Sequence, residues 1–275
     1  MPEGDTIFRA AHTLHLALSG RAVTRFETVL PALQRVHDDQ PLVGRTIDAV
    51  RAVGKHLLME FAGGLVLHTH MRMNGSWHIY RPGERWQRPP SAMRVVVGNE
   101  DYVAVAFDVP VAEFVSAHDL PRHRELSRLG PDLLAADFDL ATAAARLRAR
   151  PDVAIADALL DQRVAAGVGN VFKSEVLFVC GIDPFRAVAS LSDEEVRHVI
   201  DASRELLQAN VIGSERPGAP EWGGGRRTTR RMDPSARLWV YGRPGKPCRR
   251  CGTSIASRNQ GADARLTYWC PTCQV

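Results

Sequence analysis

The sequence predicts an α+β multidomain protein: an N-terminal antiparallel β-sandwich flanked by helices, then a helical domain, then a small metal-pinned ribbon. Three observations carry this. Residues 21–110 are dominated by short apolar runs rich in β-branched and aromatic residues, separated by glycine turns. After Gly130-Pro131 the apolar residues recur at helical spacing. The chain then closes on two CxxC pairs, Cys248-Arg249-Arg250-Cys251 and Cys270-Pro271-Thr272-Cys273.

Ile7, Ala11, Leu14 and Leu18 share one face of a helix over residues 5–19, with Asp5 or Thr6 to cap it and Gly20 to end it. Strands are expected at Leu57 to Phe61, Leu65 to His70, Ser76 to Tyr80, Met93 to Val97 and Tyr102 to Phe107, turning at Ala62-Gly63-Gly64 and Gly98-Asn99-Glu100-Asp101. Sequential strands with no long helix between them favour an antiparallel sandwich or barrel over 1–120. Helices follow at 139–149, 153–160, 170–180 and Asp193 to about Asn210, the last opened by the capping box Ser192/Glu195. The second and third of these flank Ala165-Ala166-Gly167-Val168-Gly169-Asn170, a helix–glycine turn–helix unit in a domain over 131–215. Residues 213–233, with Gly223-Gly224-Gly225 and several arginines, read as a mobile loop within a basic linker at 216–237. The ribbon occupies 238–275.

Bulk composition narrows the partner. The chain has 275 residues, 45% hydrophobic and 24% charged, as expected of a globular protein. No apolar run approaches the roughly 20 residues a membrane span needs. Met-Pro-Glu-Gly-Asp is no secretory leader, so an intracellular place, cytoplasm or nucleoid, is expected. Residues 216–275 hold 12 Lys+Arg against 3 Asp+Glu, a net +9, whereas 1–215 hold 23 against 28, a net −5. Positive charge gathered at one end favours a polyanion partner.

The candidate chemistry lies at both ends. Four thiols in two close pairs suit one tetrahedral zinc ion, and a closed four-thiolate sphere makes it structural. Cys248, Cys251, Cys270 and Cys273 are its ligands; Arg249, Arg250, Arg258 and Arg265 ride on the loop they pin and point to phosphate. At the other end, removal of Met1 exposes Pro2 as a secondary amine. Free α-amines titrate near ~7.7–8.0, so a useful fraction is unprotonated at neutral pH and competent to attack an electrophilic carbon. Glu3 is placed to move a proton. Lys55, after Gly54, projects from a strand turn. Gly167 and Gly169 let backbone N–H groups approach an anion at the start of the helix opening with Asn170. Met73, in Met71-Arg72-Met73-Asn74-Gly75, sits where an apolar wedge would enter stacked bases. Each of the last three has an ordinary structural counterpart: a surface lysine, a helix cap, a core methionine.

The ordered set is more specific than its members. Pro2-Glu3-Gly4, Gly54-Lys55, Asp161 to Asn170 leading into Ser174-Glu175, and a four-cysteine ribbon carrying Arg265 resemble the formamidopyrimidine-DNA glycosylase/endonuclease VIII family along essentially the whole chain. The resemblance implies a β-sandwich, a helix–two-turn–helix motif and a zinc ribbon, with damaged double-stranded DNA as partner and a monomer as the working form. It implies that Pro2 attacks C1′ of the damaged nucleotide, that Glu3 is the acid/base, and that Lys55 contacts phosphate and supports catalysis. By the same resemblance Asn170 and Arg265 grip phosphates around the extruded nucleotide, Arg265 thereby joining the catalytic set. Gly167, Gly169 and Arg258 are expected on the DNA, and Met73 fills the void left in the duplex. Thr6 departs from the acidic residue that many members carry there.

Pro2-Glu3-Gly4 and Tyr268-Trp269-Cys270-Pro271 resemble endonuclease VIII, which acts on oxidised pyrimidines. Met73 resembles the purine-specific branch. The expected activity is bifunctional: base excision through a Schiff base, then β,δ-elimination. The alternatives are an oxidised-purine glycosylase and a catalytically inactive damage-binding zinc protein.

Overall fold

The structure is a computed structural model that describes residues 2–211, 226–231 and 233–275. The described residues form two compact units, one of residues 2–128 and one of residues 129–211, 226–231 and 233–275.

The first unit opens with α1 (Gly4–Leu18), then β1 (Arg25–Thr28), α2 (Pro31–Asp39), β2 (Ile47–Val53), β3 (His56–Phe61), β4 (Leu65–His70), β5 (Ser76–Tyr80), β6 (Met93–Gly98), β7 (Val103–Phe107) and β8 (Val111–Ser116). The strands make two antiparallel four-stranded sheets, ordered β1-β6-β7-β5 and β2-β3-β4-β8. Alternation along each strand gives both sheets an apolar face. Leu57, Met59, Phe61 and Leu67 from one sheet meet Val95, Val97, Ala104 and Ala106 from the other. The apolar stripe of α1, Ile7, Ala11, Leu14 and Leu18, is buried in the same core. Tyr80, Val96, Val105 and Phe107 form a smaller cluster with Trp86 packed against it.

One expectation needs correcting. Residues 31–39, inside the stretch read as strands alone, are helical. Pro31 sits in the first turn, where its fixed φ suits a helix and its missing N–H costs nothing. Leu33 is buried and Val36 packs beside it, three residues on. No side chain caps the start at Leu30, so the usual entry signal is missing. The strand-rich region also runs on to Ser116 in β8, past the expected limit of 110.

The second unit contains α3 (Leu140–Arg148), α4 (Ile155–Leu160), α5 (Asn170–Cys180), α6 (Asp193–Ala209), β9 (Ala256–Gln260) and β10 (Arg265–Trp269). The capping box is present: Ser192 Oγ accepts from the Glu195 N–H at 3.1 Å, and Glu195 accepts from the Ser192 N–H at 2.7 Å. Gly181 ends α5 in the left-handed conformation. β9 and β10 pair as an antiparallel hairpin with Arg265 opposite Gln260. The helices and this hairpin share one unit because α5 packs against both α6 and β10. Of the stretch read as a mobile loop, residues 213–225 and 232 lie outside the described residues. Among the described residues, no helix is long and apolar enough to cross a membrane.

Candidate functional site

In the first unit, α1 packs against β2 and β3. Glu3 is its N-cap residue, with extended backbone, and its carbonyl accepts from the N–H groups of Thr6 and Ile7, both at 3.0 Å. Glu3 is 0% exposed. The start of α1 therefore holds a buried carboxylate beside Pro2. Asp5 is also buried, and accepts from Thr6 Oγ1 at 3.2 Å and from Arg9 at 3.3 Å. An acidic side chain is thus present one position before Thr6, tied to Thr6 itself. Lys55 lies in the two-residue turn that joins β2 to β3, between the paired residues Val53 and His56.

The β4–β5 turn displays Met73, 61% exposed, while Met71 is buried in the core. Gly75 closes this turn by donating to the Met71 carbonyl at 2.9 Å. A Cβ there would stand 2.6 Å from that oxygen, so only glycine fits. Arg88 braces the turn, bonding the Asn74 carbonyl at 3.4 Å, Ser76 Oγ at 3.2 Å and Asp108 at 2.7 Å. Composition gave no hint of Arg88, one of many arginines.

Beside these turns lies an unanticipated histidine cluster. His56 Nδ1 is 2.8 Å from His68 Nε2, and His70 meets the His56 ring edge-on at 4.7 Å. Burial, reinforced by the His70, His68, His123 and Arg72 charges, drives His56 down to about 2. Burial also lowers His70 to about 4, with Arg72 and Lys55 adding to it. Both rings are therefore neutral at pH 7.

In the second unit, Gln162 pins the glycine turn: it accepts from the Gly167 N–H at 3.0 Å and donates to the Val168 carbonyl at 3.0 Å. Gly167 has φ +123°, and a Cβ would press on Leu207 at 3.3 Å. Gly169 is the N-cap of α5, so Asn170 is the first helical residue and does not cap the helix. Asn170 instead reaches into the ribbon, donating Nδ2 to the Leu266 carbonyl at 2.9 Å. Its Oδ1 is buried with no hydrogen-bond partner. Leu266 follows Arg265, so Asn170 and Arg265 come to adjoining positions although 95 residues separate them in sequence. Arg265 is 39% exposed by side chain and contacts Asp263 at 3.4 Å.

Two buried charges on α5 fix this arrangement, and sequence reasoning missed both roles. Lys173 Nζ donates to Thr267 Oγ1 at 2.7 Å. Glu175, also fully buried, accepts from the N–H groups of Trp239, Val240 and Tyr241 at 2.8, 2.9 and 2.8 Å, and from the Thr228 hydroxyl. One carboxylate with several donors is a satisfied buried charge.

The arginines of the ribbon are not equivalent. Arg249 bonds the Leu238 carbonyl at 3.0 Å and Arg250 the Phe178 carbonyl at 3.2 Å while covering the Phe178 ring. Both serve the fold, against the expectation that they point to phosphate. Arg258 stacks on Phe185, 3.6 Å from the ring centroid.

The four cysteines converge. Cys248 and Cys273 sulfurs are 3.9 Å apart, Cys251 and Cys270 3.4 Å, and all four lie within 4.8 Å of one another. A tetrahedral zinc–thiolate site with ~2.3 Å bonds requires sulfurs about 3.8 Å apart. The residues fit one structural zinc ion, which Cys248, Cys251, Cys270 and Cys273 hold.

Comparison with known proteins places the chain. Three family profiles match: the formamidopyrimidine-DNA glycosylase N-terminal domain at residues 1–110, the formamidopyrimidine-DNA glycosylase H2TH domain at 129–216, and the zinc finger found in FPG and IleRS at 245–275. A Streptomyces coelicolor protein named probable endonuclease 8 2 is 43% identical over 100% of this chain and 94% of its own length. The chain belongs to the formamidopyrimidine-DNA glycosylase/endonuclease 8 family. Another family member, the DNA-(apurinic or apyrimidinic site) lyase Nei2 of Mycolicibacterium smegmatis, is 39% identical over 100% of this chain and 99% of its own. The fold of this glycosylase family is shared with the Lactococcus lactis formamidopyrimidine-DNA glycosylase solved non-covalently bound to DNA containing an AP site. That structure aligns with a TM-score of 0.82 at 24% identity over 99% of both chains.

Proposed function

We propose that this chain excises oxidised pyrimidines from DNA and then nicks the strand, with Pro2 as nucleophile. It is a bifunctional DNA glycosylase and AP lyase of base-excision repair. The observation that carries the site reading is Glu3: a carboxylate with no exposed surface, one residue from the amine that processing would free.

The nucleotide must leave the stack before its sugar carbon can be reached, at a cost of a few kcal/mol. Met73, exposed on a braced turn, supplies an apolar wedge. Lys55, Asn170 and Arg265 bind the flanking phosphates, and Gly167 and Gly169 let the backbone approach them. Asn170 supports this role because one Nδ2 hydrogen donates to the Leu266 carbonyl, which orients the residue, and the second Nδ2 hydrogen is the one offered to a phosphate oxygen, while Arg265 beside it supplies the charge. Arg258 adds an exposed cation whose guanidinium is already stacked on Phe185.

The unprotonated Pro2 nitrogen attacks C1′ and the N-glycosidic bond breaks. Glu3 delivers a proton as the sugar ring opens, leaving an iminium between Pro2 and C1′. The iminium acidifies the C2′ hydrogen; its loss expels the 3′ phosphate, and a second elimination expels the 5′ phosphate. Zinc takes no part beyond holding the ribbon that carries Arg265. We further propose that the enzyme works as a monomer on duplex DNA inside the cell.

Cleavage of matched duplexes containing thymine glycol, dihydrouracil or 8-oxoguanine tests the substrate assignment. Faster excision of the two pyrimidines is expected. Preference for 8-oxoguanine would assign the purine branch, and binding without cleavage of any would leave a damage-recognition protein.

A further inference from the structure

The sheet β2-β3-β4-β8 carries, on the face opposite the sandwich core, a polar cluster that the chemistry above does not use. His68 of β4 and Glu113 of β8 are direct register partners. His123 comes from the segment that follows β8. His68 Nδ1 lies 2.9 Å and His123 Nε2 3.0 Å from the same oxygen, Glu113 Oε1. The two imidazole rings meet edge-on with centroids 4.9 Å apart.

Two imidazoles and one carboxylate are the donor set of a facial transition-metal site. With metal–ligand bonds of about 2.1 Å, donors at right angles sit about 3.0 Å apart, which matches both nitrogen–oxygen separations. A ligating histidine also needs its other ring nitrogen held. His68 is fully buried, and its Nε2 is 2.8 Å from His56 Nδ1. Glu113 is 47% exposed by side chain, which leaves a path for an ion from solvent.

We propose that His68, Glu113 and His123 form a second metal site, distinct from the cysteine-bound zinc, that takes a divalent first-row transition ion. His68 Nδ1, His123 Nε2 and Glu113 Oε1 are the ligands, and water completes the coordination; His123 then carries its proton on Nδ1, replacing the long 3.4 Å contact that this nitrogen accepts from the Leu126 N–H. With Nδ1 on the metal, the His68 ring carries its hydrogen on Nε2 and donates it to His56 Nδ1.

Counting metal in full-length protein dialysed against Zn²⁺, by inductively coupled plasma mass spectrometry, tests the proposal. Two ions per chain are expected, falling to one in Glu113→Gln and in His123→Gln. His123 lies outside the sandwich core, so its variant keeps the experiment informative if Glu113→Gln fails to fold. With Co²⁺ as probe, the ion lost in these variants should lack a thiolate charge-transfer band. A single ion in the unaltered protein overturns the proposal, leaving a hydrogen-bonded triad only. A second ion that survives both substitutions also overturns it.

Discussion

At the residue scale, the proposed reaction gives its residues very different jobs. Glu3→Gln keeps the shape of the buried side chain and removes its proton chemistry. Base excision should fall by roughly 10²–10⁴, the usual range for a general acid/base, measured under single-turnover conditions with a lesion duplex. A loss below tenfold would remove Glu3 from the mechanism. Arg265→Ala should weaken DNA binding and reduce the salt slope by about one, as for the loss of one phosphate contact. A fluorescence titration at several salt concentrations reads this directly; an unchanged slope would deny Arg265 its phosphate. The cysteines stood out in the sequence because their chemistry is local, two short spacings, whereas Pro2 and Glu3 took their expected roles from the resemblance along the whole chain. The partnership of Asn170 with Leu266 was hidden, because 96 residues separate them and only the folded unit joins them. His68 and Glu113 were hidden for the same reason, since strand register decides which polar side chains meet.

At the element scale, the glycine turn before α5 is held from both ends. Burial raises the Asp161 carboxyl, but hydrogen bonds from Arg163 and Arg150 outweigh it and bring it down to about 2. A depressed carboxylate contributes stability that is fully present above its unfolded value of about 3.9 and lost as pH falls through the folded value. The stability difference between the unaltered chain and Asp161→Asn should therefore be constant near neutrality and shrink between about pH 4 and pH 2. Urea unfolding across that range checks it, and a pH-independent difference would contradict the assignment. Glu175 does the same work for the ribbon. Glu175→Ala orphans the backbone N–H groups of Trp239, Val240 and Tyr241, each costing roughly 1–3 kcal/mol when buried and unpaired, and leaves the Thr228 hydroxyl only its long contact with the Arg237 carbonyl. The second unit should melt markedly earlier, with the first unaffected. The helices α1 and α6 were legible from their periodicity, and in α6 the capping box agrees with it; the cap expected for α1 at Asp5 or Thr6 does not form, because both residues lie inside a helix that starts at Gly4 with Glu3 as its N-cap. The helix α2 was not, because its one strong signal, Pro31, also reads as a break between strands.

At the scale of the whole molecule, the proposed roles are shared between two compact units. The first carries Pro2, Glu3, Lys55 and Met73; the second carries Asn170, Arg265 and the zinc. Charge asymmetry along the sequence agrees with a DNA partner for the chain, though Arg249 and Arg250 of its basic end bond backbone carbonyls of the fold. Cys270→Ser should release zinc, loosen the ribbon and cost most of the DNA affinity, while the sandwich stays folded. Calorimetry of that variant should retain the transition of the first unit; loss of every transition would mean that the units are not independent.

The central claim is that the N-terminal amine does the chemistry, and covalent trapping tests it most directly. Incubation with an abasic-site duplex and borohydride, then digestion and mass mapping, should place the reduced sugar on the Pro2 nitrogen, with Met1 absent. No adduct, or an adduct on a lysine side chain in a chain that retains Met1, would contradict the account.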